Sequence, residues 1–136
     1  MKVVLDTNVI VSALLNSQSL PAQVFNLVLN GKLQVLYTNS IIAEYSRVLY
    51  REKFGFTSTL VEPVIELIQH EGELVVTEPT RVTFKDQEDK KFYETLNSGA
   101  GDYLVTGNLK HFPQERRILN PRDFLEAYTG KANPGD

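Results

Sequence analysis

The chain has no cysteine. Disulfides and thiolate metal sites are therefore excluded, and a reducing compartment suits the protein. Nor is there an apolar stretch near the roughly 18 residues that a membrane span requires. Lys2 is soon followed by Asp6, which interrupts any signal-peptide core. A cytoplasmic protein without membrane association is expected. Excess positive charge is also missing: 14 Lys and Arg stand against 17 Asp and Glu, a formal net charge of -3. This disfavours a general nucleic-acid binder held by a basic face. It weighs less against an enzyme whose acids reach phosphate through cations, because the metal's own charge belongs to the site. Histidine is scarce. His70 and His111 are the only two, and neither has an evident partner. A metal-free acid–base ribonuclease is therefore not expected, and the pair read as a helix-end and a loop residue.

What remains is an ordinary globular composition, 42% hydrophobic and 23% charged over 136 residues, enough for one domain. Residues 2–5 and 33–37 read as short buried strands, followed by 74–76, 103–106 and 118–119. Helices are expected between them. One begins after Ser19, with Pro21 in its first turn and Gly31 past its end. Asn39 or Ser40 caps another that runs to Phe54. Further helices cover 58–70, 87–98 and 123–128. Apolar strands alternating with helices predict an α/β fold: a three-layer α/β/α sandwich around a parallel sheet of about four or five strands. The domain is expected over residues 1–128, with the Gly/Pro-containing end "TGKANPGD" as a disordered tail, 129–136.

One stretch does not fit a plain core strand. In "VVLDTNVI" the apolar run stops at Asp6, and Thr7 and Asn8 follow before Val9 restores it. In open parallel sheets, ligands bind beyond the carboxyl ends of the strands, so Asp6 is expected at a functional rim. Other acids can reach that rim. Glu44 lies one helical turn from both Ile41 and Val48, at the border of an apolar stripe; a dipole-favouring Glu paired with Arg47 is the plain structural alternative. In "FKDQEDKKFYETL", Asp86 and Asp89 align with Phe92 and Tyr93, and a capping role accounts for Asp86 better than for Asp89. Thr106 and Asn108 follow the fourth strand at the same rim, whereas Asp102 sits at its other end as a turn residue. Converging carboxylates would repel each other and hold their protons unless a cation joined them. An oxygen-only set suits Mg²⁺ or Mn²⁺, and such ions serve phosphodiester hydrolysis.

The segments "VVLDTNVIVSAL", "SIIAEYSRVL", "DKKFYETL" and "GDYLVTGN" together resemble a PIN domain, most of all the small prokaryotic PIN ribonucleases of toxin–antitoxin systems. The resemblance spans residues 1–128. It implies Mg²⁺- or Mn²⁺-dependent cleavage of single-stranded RNA. Asp6, Glu44 and Asp89 match the family's first three acids, with Asp86 as an extra acid beside the third. Asn108 stands where the fourth is usual, able to offer an amide oxygen but no charge. Thr7, Asn8 and Thr106 would orient water or ligands. Arg47 and Arg51, four apart on one helix flank, and Lys110 could meet RNA phosphate; Lys90, Lys91, Arg116 and Arg117 are further candidates, and for most of these solvated surface charge is the simpler reading. The resemblance also implies an antitoxin partner and a homodimer. Two other classes compete: an inactive PIN fold that binds RNA or protein, which Asn108 and the acidic balance favour, and a receiver-like signalling domain, which lacks the required acidic pair and phospho-acceptor.

Overall fold

The computed structural model describes residues 1–132. Five parallel strands, β1 (Lys2–Leu5), β2 (Gln34–Tyr37), β3 (Glu73–Leu74), β4 (Tyr103–Val105) and β5 (Ile118–Leu119), form one sheet in the order β3-β2-β1-β4-β5. The α-helices among the described residues are α1 (Thr7–Leu15), α2 (Leu20–Leu29), α3 (Asn39–Leu49), α4 (Ser58–Glu71), α5 (Lys90–Ser98) and α6 (Pro121–Ala132). β1 is central, and Val3, Val4 and Leu5 are all 0% exposed. Successive strand side chains point to opposite faces, so both faces of the sheet are covered. On one, α5 lies against β1, β2 and β4, with α3 and α4 beside it; on the other, α2 bridges α1 and α6, and α6 meets β4 and β5. The expected α/β/α sandwich is the observed architecture.

This topology positions a crevice. Val3 pairs with Val35 on one side and Tyr103 on the other, and Leu5 pairs with Val105. The chain leaves β1 toward β2 and returns much later to β4, so the segments after β1 and β4 diverge at their carboxyl ends. Asp6 and Thr106 are the first residues beyond those ends.

Several boundaries follow from local chemistry. Ser19 caps α2, its side chain accepting from the Ala22 N–H at 3.2 Å, and Gly31 takes a left-handed φ of 72° after the helix. Gly72 lets the end of α4 abut the sheet: a Cβ there would lie 2.3 Å from the Ile68 carbonyl oxygen and 2.4 Å from that of Val35.

Other boundaries differ from the sequence reading. α1 was not expected, because its run Val9-Ile10-Val11 is β-branched and follows a polar break; packing against α2 and α3 decides it. Thr38, not Asn39 or Ser40, caps α3, and α3 stops at Leu49, with a separate 3-10 turn over Glu52–Phe54. β3 begins at Glu73 and ends at Leu74, and Val76 is exposed. Residues Gln87–Asp89 form a 3-10 turn, so α5 starts only at Lys90. α6 runs from Pro121 to Ala132 and takes in 129–132 of the expected tail; the rest of that tail, 133–136, lies outside the described residues.

Candidate active site

The carboxylate that interrupts the first apolar run is held at the crevice by its own backbone: the Asp6 N–H donates to the Val105 carbonyl at 3.0 Å. Asp6 occupies the N-cap position of α1, yet its side chain caps nothing. Its Oδ2 instead accepts from the Thr106 hydroxyl at 2.8 Å, with the Asn8 amide at 3.4 Å. Asp6 is only 6% exposed. Burial raises its pKa from 3.8 to about 6; the Thr106 bond opposes this rise, and the charges of Asp89 and Glu44 add to it. Thr106 is fully buried, and its Oγ1 also accepts from the Asn108 N–H at 2.9 Å. The Asn8 Oδ1 accepts from the Gly107 N–H at 3.0 Å. Thr106 and Asn8 thus tie the start of α1 to the turn after β4.

α3 delivers Glu44. The neighbouring Tyr45 is fully buried and donates to the Leu5 carbonyl at 2.5 Å, which pins the helix to the end of β1. Glu44 is buried, and both of its oxygens are engaged. Thr7 donates to Oε2 in a short bond. Lys91 Nζ lies 2.6 Å from Oε1, well inside the 3.9 Å separation of Arg47 from the same atom. The expected Glu44–Arg47 pairing is therefore the weaker of two. Burial works against the charge on Lys91, but its bonds to Glu44 and Glu88 outweigh that and raise its pKa.

The third acidic segment is anchored by rings. Phe84 packs against Tyr93 at 5.7 Å and Phe112 at 6.0 Å between ring centres. This cluster fastens the strand-free run before α5 to the loop that carries Asn108 and His111. Asp86 caps the 3-10 turn, its Oδ1 accepting from the Glu88 N–H at 2.9 Å. Asp89 stands at the start of α5 without capping it. Its Oδ2 is buried and receives no hydrogen bond, with His111 Nδ1 3.2 Å away at ion-pair distance. Burial and then the Asp86 charge raise the Asp89 pKa, and His111 counteracts them.

Asp6, Thr7, Asn8, Glu44, Arg47, Arg51, Asp86, Asp89 and Asn108 line one cleft of about 440 Å³. Thr106 lies behind Asp6, and Lys110 faces an adjoining hollow beside Asn120 instead of this cleft. Sharing a cleft is not the same as forming a ligand shell. Among the described residues, no group of three or more His, Asp or Glu side chains is arranged to hold a metal ion. Asp6, Glu44 and Asp89 share the cleft, with Glu44 turned to Lys91 and Thr7. The reading of His111 is corrected, since it is partnered by Asp89. Glu88 and His111 line the cleft although sequence reasoning did not place them in the site, and Lys91, read there as a candidate phosphate contact, pairs instead with Glu44. Glu88 and Lys91 carry a local signal, an i,i+3 pair. The Lys91–Glu44 and His111–Asp89 pairings have none.

A family model described as PIN domain matches residues 2–110. No curated protein shows a significant match to the chain. A parallel sandwich with a carboxylate-lined cleft at the ends of β1 and β4 agrees with that match, and PIN domains have a nuclease-type fold that typically uses divalent metals; the chain belongs to the PIN domain family.

Proposed function

We propose that the protein is a Mg²⁺- or Mn²⁺-dependent endoribonuclease acting on single-stranded RNA. The observation that carries this reading is a pair of acids in the cleft: buried Asp6, raised to about 6 with like charges nearby, and half-buried Asp89, whose Oδ2 atom is buried with the His111 imidazole 3.2 Å away as its one close partner among the described residues. Carboxylates held in this way gain from a cation. The donors are oxygens, which suits Mg²⁺ or Mn²⁺. Asp6 and Asp89 would hold the ion, Asn108 would offer a neutral amide oxygen, and Glu44 would join by exchanging Lys91 for the ion; Asp86 stands beside them. An ion held there would supply an activated water and charge stabilisation for phosphodiester cleavage.

The chain's own residues do the rest. Thr106 and Asn8 fix the Asp6 carboxylate, and Thr7 fixes Glu44. Arg47 on α3 and Arg51 just beyond its end, both exposed on the cleft wall, would take RNA phosphates. As the toxin of a toxin–antitoxin pair, the protein would be silenced by an antitoxin segment laid over this cleft, and it would act as a homodimer.

The test is cleavage of single-stranded RNA with Mn²⁺ or Mg²⁺. Asp6→Asn should abolish cleavage, and Asn108→Asp should preserve or raise it. Equal cleavage by wild type and Asp6→Asn overturns the catalytic reading. One observation favours a second reading, an RNA- or protein-binding PIN module: Glu44 is already neutralised by an ammonium at 2.6 Å and Asn108 adds no charge. Thermal shift separates the two, since a competent site is stabilised by Mn²⁺ and a binding module is not.

A further inference from the structure

We propose that Lys91 is a resident counter-cation of the cleft, which competes with the divalent ion for Glu44 and so sets the affinity of the metal site. The inference rests on the metal-dependent reading above and adds a positioning residue to it. Lys91 Nζ contacts Glu44 Oε1 at 2.6 Å, the Glu88 carbonyl at 2.8 Å and Glu88 Oε2 at 2.9 Å. An ammonium has three donors, and all three go to Glu44 and Glu88, which line the cleft. The Lys91 side chain is 14% exposed, so this is not a mobile surface lysine touching an acid in passing. The ammonium also sits 5.2 Å from the Phe92 ring centre.

The consequence concerns Glu44. Its Oε2 is taken by Thr7 and its Oε1 by Lys91, so no oxygen of this buried carboxylate faces the cleft unengaged. Among the described residues, no Lys or Arg forms an ion pair with Asp6 or Asp89, and Asp89 has a half-exposed imidazole at 3.2 Å. The acids of the cleft are therefore unequal. Asp6 and Asp89 are poised for a cation, and Glu44 has one supplied by the chain. A divalent ion that recruits Glu44 must first displace Lys91, and it meets the repulsion of that ammonium in a low-dielectric cleft. Lys91 thereby keeps the Glu44 carboxylate aligned while weakening the ion's hold on it.

The experiment is Mn²⁺ titration of the full chain by calorimetry, without RNA. Lys91→Met should bind Mn²⁺ about ten-fold tighter than wild type, because the ammonium's repulsion and the cost of displacing it are both removed. Lys91→Arg, which keeps the charge, should not. Glu44→Gln should weaken binding far more in the Lys91→Met background than in wild type, because only there is Glu44 free for the ion. If Lys91→Met does not fold, Lys91→Gln replaces it in the same comparison, with circular dichroism as the check. Unchanged or weaker Mn²⁺ binding in the neutral variant overturns the proposal, as does an equal loss from Glu44→Gln in both backgrounds, or no binding by any form. Tighter binding without any RNA cleavage would sink the nuclease reading and leave Lys91's role standing. Mn²⁺-dependent cleavage with unaltered affinity would do the reverse.

Discussion

Asp6 should cost the protein stability, and removing its charge should recover it. The side chain is almost wholly buried and its pKa rises from 3.8 to about 6 on folding. A shift of that size corresponds to about 3 kcal/mol of differential interaction. The sign follows from linkage. Between those two pH values the folded protein holds a proton that the unfolded chain has released, so stability falls as pH rises through the window and stays lowered above it. Asp6→Asn keeps the shape, can still accept from Thr106, and removes the ionisation. With divalent ions chelated at about pH 7.5, the variant should be more stable by up to about 3 kcal/mol, or roughly 5–10 °C in Tm for a domain of this size. Below the unfolded value of 3.8 the advantage should vanish, because both proteins are then neutral at this position. Adding Mn²⁺ should reverse the order, since only wild type keeps the carboxylate that gains from the ion. Thermal melts across pH, with chelator and with Mn²⁺, read all of this. A variant that melts at or below wild type at neutral pH, or a gap that stays constant as pH falls, refutes the reasoning.

Two further outcomes test the scaffold. Tyr45→Phe removes a buried hydroxyl that donates to the Leu5 carbonyl at 2.5 Å and should cost about 1–2 kcal/mol in urea denaturation; a loss near zero would mean that α3 is held to β1 by apolar packing alone. Ala100 has a positive φ of 50° in the turn before β4. Ala100→Gly should therefore raise stability by about 1 kcal/mol, with Mn²⁺ affinity unchanged, and a lower denaturation midpoint would refute strain at that position.

Two kinds of information were legible in the residue order. One was periodicity and punctuation. The run Val3-Val4-Leu5 reads as a strand buried on both faces, and Ser19 and Gly31 bracket a helix by chemistry that acts within a few residues. The other was the placement of acids relative to apolar stripes. Asp6 after a core strand, Glu44 beside Ile41 and Val48, and Asp89 before Phe92 and Tyr93 all point toward one rim, and all three line the same cleft. α1 was not legible, because Val9, Ile10 and Val11 have the intrinsic preference of a strand and only packing against α2 and α3 makes them helical. The 3-10 turn at Gln87–Asp89 was missed because a capping pattern fits the start of either kind of helix.

By itself, then, the amino-acid order determined the alternation of elements, the parallel sheet and the identity of the acids at its rim, since those depend on burial period and on residues close in the chain. Tertiary structure alone decided what each acid meets: Asp6 facing Thr106, Glu44 claimed by Lys91, Asp89 beside His111. Those partners come from other elements of the chain, and the Phe84–Tyr93–Phe112 cluster helps hold the last of these pairings together. A contact between distant elements depends on how they pack, and no local pattern of residues encodes that distance.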